Sequence, residues 1–503
     1  FYPRTPELEA ASIENMAYPL PDKPSIAVLP FTNMSESLEQ KYFSDGLTEE
    51  IIAALSKVPK LFVIAPNSVF SYKDKPVRVK QVAEDLGVRY VLEGSVRKDK
   101  DQIRVTAKLI DALSGHQLWA ERYDRNLKEI FSVHDDLTKR VITAMQVKLT
   151  EGEQARVASR GTNNLDAYLK YLQAFSQTTK LNIEGNELGR QLALEAIELD
   201  PQYASPYLAL ATTHLMDIMF GRSKSPKESY AKRIELLKKA IELDASYAEA
   251  YGALGFTYAL MGIYDEAIES AERGVSLDPN SAITHLMLGH VYRFSGRAEE
   301  AIPEYKKGIR LNPIPPAVYL SGLGLSYGLV GQYEEAIKWC KKAVSQEPDS
   351  FISRLQLTAV YAMAGQEEDA RSEAKEVLRL NPKYSLDKAE KRAKIKYKDT
   401  WFAALRKAGL PDKPPLPLPE KPSIAVLPFE NMSGDPEQQY FSDGFTEHII
   451  TSLSKVPYIF VIARQSSFSF RDKQMTVQQI AKELGVKYIL EGSIQRSGER
   501  LRI

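Results

Sequence analysis

Hydrophobic and polar positions follow several different rhythms along this chain of 503 residues. Residues 25–31 form a short, nearly continuous apolar run ended by Pro30 and Asn33, the pattern of a strand buried on both faces. In the next segment, FSDGLTEEIIAALSKV, Leu47, Ile51, Leu55 and Val58 fall on one helical face, with Ser44 or Asp45 placed to cap it. A second apolar strand is predicted at 61–65, a short helix at 79–86 closed by Gly87, and a third strand at 89–97. The rhythm then becomes strict alternation at 103–112 and 116–123, turning at Ser114 and Gly115, as in half-exposed antiparallel strands. An amphipathic helix at about 127–149 closes the segment. The run KPSIAVLPF at 23–31 returns unchanged at 421–429, and 23–105 aligns with 421–503 without a gap, more than half of the positions being identical. The second copy stops where the first still has two strands and a helix to come.

Between the copies the period is helical. Placing Ala267, Ala301, Ala336 and Ala370 in register gives a repeat of about 34 residues, with Leu254-Gly255, Leu288-Gly289, Leu323-Gly324 and Leu357-Thr358 each followed by a Tyr. Pro279, Pro313, Pro348 and Pro382 end successive units, where a missing N–H and fixed φ stop a helix. This is the tetratricopeptide pattern. Two looser units precede these, ending at Pro201 and Ala245, which makes about six in all. The predicted layout is a Pro-containing linker at 1–22, an α/β module at 23–150, tetratricopeptide repeats at 165–385, a capping helix at 386–411, a Pro-rich linker at 412–420, and a second, truncated α/β module at 421–503. The fold class is therefore α/β modules flanking an all-α solenoid.

Charge changes this picture little. Lys+Arg and Asp+Glu are 66 each, so no net field favours nucleic acid. A single cysteine, Cys340, excludes an internal disulfide and a cysteine-based metal cluster, and its register position reads as a buried structural thiol. No apolar run reaches the roughly 18 residues that span a bilayer. The chain starts at Phe1 rather than Met and reads as a piece of a longer gene product.

Candidate chemistry is sparse. FSDGFTE at 441–447 has the look of a metal-binding strand in class III cyclases, but Asp443 adjoins Gly444 where that pattern needs two intervening residues, so a helix cap is the expected role. His285 and His290 are five apart rather than four and lack an accompanying Glu; packing is expected for the first and surface contact for the second. GLGLSYG at 322–328 lies inside a repeat helix and is not a dinucleotide loop. No catalytic, cofactor or metal residues are predicted. What remains is the surface lined by the first helix of each pair: Phe256, Leu260, Leu286, His290, Arg293, Phe294, Leu325, Leu329 and Met363, an apolar groove with one cation suited to a protein or peptide ligand.

The runs KPSIAVLPFTNMS, YFSDGLTEEII, LFVIA, VAEDLGVRYVLEGSVRK and LIDALSGHQLWAERYDR, in this order, resemble the TolB-like amino-terminal module of bacterial signalling proteins. The resemblance implies tetratricopeptide repeats after the module and an effector before it: a class III adenylate or guanylate cyclase, a winged-helix DNA-binding domain or a protein kinase. It implies a non-catalytic sensory and protein-binding region, foremost that of a cyclase. The alternatives are a free-standing scaffold in an envelope assembly and the regulatory half of a winged-helix transcription factor. It also implies an extracytoplasmic location with a membrane tether upstream of Phe1, in keeping with the opening Phe-Tyr-Pro-Arg. A homo-oligomer is compatible with this layout.

Overall fold

In the computed structural model, the residues described are 9–34, 41–150, 161–414, 419–433, 435–471, 473, 475–497 and 500–503. The Phe-Tyr-Pro-Arg opening and the middle of the Pro-rich linker lie outside them. The chain divides into two compact units: Phe1–Ala374 with Arg392–Ala408, and Lys375–Lys391 with Gly409–Ile503.

The first unit opens with the α/β module. Its strands are β1 (Ser25–Val28), β2 (Thr32–Asn33), β3 (Phe62–Val63), β4 (Tyr90–Asp99), β5 (Gln102–Asp111) and β6 (His116–Asn126). They form one sheet of order β3-β1-β4-β5-β6, with β2 beside β4. β1 pairs in parallel with β3 and β4, and all four of its residues are buried, which explains its unbroken apolar run. β4, β5 and β6 are antiparallel, Gly115 supplying the positive φ of the turn between the last two. The helices are α1 (Lys41–Ser56), α2 (Pro66–Phe70), α3 (Val79–Leu86) and α4 (Ile130–Ala144). α3 ends as expected on Gly87 in the left-handed conformation. α1, by contrast, is already helical at Lys41, so Ser44 and Asp45 lie within the helix and do not cap it. The Ser44 carbonyl accepts from Thr48 and the Asp45 carboxylate pairs with Lys73 at 2.5 Å.

The repeats follow as six helical pairs: α5 (Leu165–Thr178) with α6 (Ile183–Leu199), α7 (Ala204–Met219) with α8 (Pro226–Leu243), α9 (Ala248–Met261) with α10 (Tyr264–Leu277), α11 (Ala282–Phe294) with α12 (Ala298–Leu311), α13 (Ala317–Leu329) with α14 (Tyr333–Gln346), and α15 (Phe351–Met363) with α16 (Glu367–Leu380). Helices within a pair approach closely at the small residues. A side chain at Gly324 would stand 2.5 Å from the Cys340 sulfur and 2.9 Å from the Ala336 carbonyl oxygen. Cys340 is fully buried, and burial pushes its thiol up to about 12, so it is a packing group. The GLGLSYG run lies inside α13.

The module's core does not close on itself. Tyr168 and Leu172 of α5 belong to the same buried cluster as Ile26, Leu47, Ile51 and Leu92. Leu172 sits over Gly46 of α1, 2.5 Å from where a side chain there would begin. Farther along, two successive helix ends and the loops that follow them, after α10 and after α12, grip the module. In the first, the Asn280 amide donates to the Ser56 and Val58 carbonyls at 3.0 and 3.1 Å, and the Ser56 hydroxyl donates to Asp278. In the second, Arg310 donates to the Leu86, Gly87 and Pro19 carbonyls and stacks on Phe62, while Ala65 N–H donates to Leu311 O and Ser68 bonds Asn312 and Ile314. Module and repeats are thus one hydrogen-bonded body.

The predicted single capping helix at 386–411 is instead two, α17 (Leu386–Arg392) and α18 (Lys398–Lys407), separated by a non-helical break. The reason is tertiary: Lys396 N–H, which a continuous helix would keep for itself, donates to the Phe294 carbonyl at the end of α11.

The second unit contains the second module: β7 (Ser423–Val426), β8 (Glu430–Asn431), β9 (Phe460–Val461), β10 (Tyr488–Leu490), β11 (Ser493–Ser497), β12 (Arg500–Arg502), α19 (Gln439–Ser454), α20 (Arg464–Phe468) and α21 (Val477–Leu484). β7 lies between β9 and β10 in the register of the first copy, Ser423 opposite Phe460 and Ile424 opposite Tyr488. β8, β11 and β12 form a separate three-stranded sheet. Asp443 lies inside α19, bonded to Gln439 and paired with Arg471, which replaces the expected cap with an ion pair.

Candidate functional site

The predicted groove residues are carried by the first helices of four successive pairs: Phe256 and Leu260 on α9, Leu286, His290, Arg293 and Phe294 on α11, Leu325 and Leu329 on α13, and Met363 on α15. Leu286 and Leu325 point into the core and are buried; Phe256, Leu260, Phe294, Leu329 and Met363 are partly covered. His290, expected at the surface, is 7% exposed, and Arg293 is 3% exposed. Both are drawn inward by Tyr305 of α12, whose hydroxyl lies 2.7 Å from His290 Nδ1 and accepts from Arg293 Nε at 3.2 Å. Burial, and then the Arg293 charge, hold the His290 pKa far below its ordinary value. A neutral imidazole with Nδ1 as acceptor satisfies both its Tyr305 and its Arg293 contacts.

Aromatic rings close the centre of this cluster. Phe256, His290 and Phe294 are mutual neighbours, with centroids 5.5 to 6.1 Å apart, and Arg293 lies 4.7 Å from the Phe294 centroid. Among the described residues no carboxylate pairs with Arg293. A fourth partner comes from the chain itself: the Tyr397 hydroxyl bonds Arg293, and the Tyr397 ring packs beneath the guanidinium.

The segment between α17 and α18 therefore runs over the carboxyl-terminal ends of α9 and α11. The Lys394 side chain lies against the turn at Gly262, Lys396 lies against the turn at Gly296, and its ammonium stands 5.3 Å over the Tyr264 ring. Lysines suit this position because helix carboxyl ends expose unpaired carbonyls and carry partial negative charge. Beyond Tyr397, α18 packs along α15 with Trp401, Phe402 and Leu405 buried. Residues 394–405 of the same unit thus meet the predicted groove at Arg293 and along α15. Sequence reasoning missed Tyr305 and Tyr397. The second had a signal: Lys394, Ile395, Lys396 and Tyr397 alternate with period two inside a stretch read as helix.

A second concavity, about 600 Å³, lies in the first module between the segment that follows β1 and the middle of β4, lined by Phe31, Tyr72, Lys73, Glu93, Gly94 and Lys108 among others. Three lysines line it: Lys73 pairs with Asp45, Lys108 pairs with Glu93, and Lys75 donates to the Ser71 carbonyl. Among the described residues no group of three or more His, Cys, Asp or Glu side chains is placed to hold a metal ion, and no helix is long and apolar enough to cross a membrane.

Comparison with known proteins finds matches to the first module and to part of the repeats. Residues 22–143 match the family model described as "HilA/YgeH-like transcriptional regulator, second domain", so the TolB-like resemblance stands on the sequence motifs alone. A curated relative, "Putative adenylate cyclase 3" of Rhizobium meliloti (strain 1021), is 47% identical over 200 residues, which cover 40% of this chain and 34% of that protein. The match spans about a third of the relative's length. Among solved structures, a thermophilic tetratricopeptide protein of Thermus thermophilus is 24% identical, covering 38% of this chain and 97% of its own, at a TM-score of 0.31. The structure described as "YrrB: a TPR protein with an unusual peptide-binding site" is 21% identical, covering 38% of this chain and 93% of its own, at 0.28. Residues 248–281, 282–315 and 318–350 match tetratricopeptide repeat models, and these helical pairs are tetratricopeptide repeats.

Proposed function

We propose that this chain is the non-catalytic, protein-binding regulatory region of a bacterial adenylate or guanylate cyclase-type signalling protein. The similarity to the Rhizobium meliloti protein, named as an adenylate cyclase, carries this reading. A repeat array joined by hydrogen bonds to an α/β module supports it, because a ligand bound to one element is then felt by the other. Comparing cyclase activity of the full-length gene product with and without residues 23–410 tests it. A changed rate or a lost response is expected; unchanged rate and response would leave the region a scaffold. A second reading, the regulatory half of a transcription factor, is favoured by the HilA/YgeH-like match. Sequence-specific DNA retention by the full-length product, with no cyclase activity, would select it.

Within this reading the groove takes a peptide at Phe256, Arg293, Phe294 and Leu329, and the ligand must first displace Tyr397 from Arg293. Tyr397→Ala is then expected to raise partner capture, and Phe294→Asp with Leu329→Asp to abolish it. We also place the region outside the cytoplasm, tethered upstream of Phe1. A phosphatase fused after Leu410 in the full-length gene is expected to be active, and cytoplasmic fluorescence of the matching reporter would end that placement.

A further inference from the structure

The duplication makes it possible to compare one face of the module in two settings. In the first copy Ser56, Val58, Ala65 and Ser68 are buried, Val58 completely, because Asn280, Leu311 and Asn312 of the repeats cover them. The second copy keeps the same residue types at Ser454, Val456, Ala463 and Ser466, and it keeps Phe460 where Arg310 stacks on Phe62. There they are exposed, Val456 at 38% and Phe460 at 47%. The helix glycine tells the same story independently. Gly46 is needed because Leu172 of a repeat helix lies against it, whereas its counterpart Gly444 keeps the conformational cost of a glycine inside α19 with nothing within 4 Å. In the first copy the face is covered by the repeats, to which it is bonded, and not by α4, which packs on α1, β5 and β6.

We propose that Gly444, Ser454, Val456, Phe460, Ala463 and Ser466 form a docking face for a second tetratricopeptide array. Its first helix would lie across Gly444. One inter-repeat loop would donate a side-chain amide to the Ser454 and Val456 carbonyls, and the next would stack a guanidinium on Phe460 and bond Ser466. The partner is defined by those groups, an Asp-x-Asn loop and an Arg-Leu-Asn loop one repeat apart, as the sequence 278–280 and 310–312 spells them.

A full-length chimera in which 421–503 replaces 23–105 tests the face directly. Amide exchange in the transplanted segment is expected to slow at least tenfold, to the level of the natural first module, and Asn280→Ala or Arg310→Ala should undo this in the chimera as in the natural chain. A chimera that exchanges like the natural second module, or does not fold, overturns the proposal. In a second arm, a chain carrying Ala65→Arg to unseat its first module and Asn280→Cys is mixed with a chain carrying Ser454→Cys. A disulfide between them is expected, and is lost when Phe460→Asp is added; its absence while the repeats remain helical overturns the proposal. Concentration-dependent protection of Val456 and Phe460 in the natural chain, whose repeats are all seated, would also overturn it by showing that the module pairs with itself.

Discussion

Arg293 is a buried cation held by neutral groups, the Tyr305 and Tyr397 hydroxyls and a neutral His290. Hydrogen bonds to a charged donor are worth about 1.5–3 kcal/mol, so Tyr397→Phe should cost about 1–2 kcal/mol, since this side chain is only partly buried. Urea unfolding checks the size, and a double-mutant cycle with Arg293→Met should find the two losses coupled. His290 adds a pH signature. Its folded pKa is depressed by burial, so the folded chain resists a proton that the unfolded chain accepts. The associated stability is present above the unfolded value, about 6.5, and declines as pH falls below it by up to about 1.4 kcal/mol per unit. A His290 resonance that titrates near 6.5 in the folded chain would contradict this.

At the scale of elements, the paired glycines give opposite expectations for the same substitution. Gly46→Ala should destabilise the first unit by about 1–3 kcal/mol through overpacking against Leu172, while Gly444→Ala should stabilise α19 by up to about 1 kcal/mol, there being open space and a better helix former. Thermal unfolding of the two variants decides both. Amide exchange should likewise be faster at Ile424 and Val426 than at Ile26 and Val28, because β7 belongs to a three-stranded sheet and β1 to a six-stranded one. The elements best read from sequence were those fixed by local pattern: β1 by its apolar run, α3 by its Gly87 stop, and the β5–β6 hairpin by alternation and Gly115. Those misread were set by contacts far away in the chain. Asp45 and Asp443 resemble caps until Lys73 and Arg471 are found to pair with them inside a helix, and the break at 393–397 exists because α11 offers its last carbonyl to Lys396. The groove positions followed from the repeat register, but their burial depended on Tyr305 and Tyr397, which no local period connects to Arg293.

For the first unit as a whole, the joint between module and repeats should respond to pH. Burial, with Asp45, Glu249 and Glu50 nearby and Lys73 only partly opposing them, raises the Glu49 carboxyl to about 8. A raised acid means that the folded state holds a proton the unfolded state has released. Stability is therefore fullest below about 4.5 and declines as pH rises toward 8, on the order of 1–2 kcal/mol after allowance for solvent screening. Glu49→Gln should flatten that decline in a series of unfolding curves from pH 5 to 8.5. Removing Arg310 removes three hydrogen bonds and a stacking contact together, and Arg310→Ala should cost about 2–4 kcal/mol and speed amide exchange at Val88.

All three hydrogen bonds that Arg310 makes across the joint go to carbonyl oxygens, those of Pro19, Leu86 and Gly87, and both of Asn280's go to the carbonyls of Ser56 and Val58. Main-chain oxygens survive almost any substitution. Over evolutionary time the surface around them is free to drift while the grip persists, so descendants of this arrangement should hold Arg310 and Asn280 nearly fixed opposite neighbours that vary widely. Paired substitutions, the usual trace of two surfaces adapting to each other, should be scarce at these carbonyl contacts, and contact inference from covariation should overlook them.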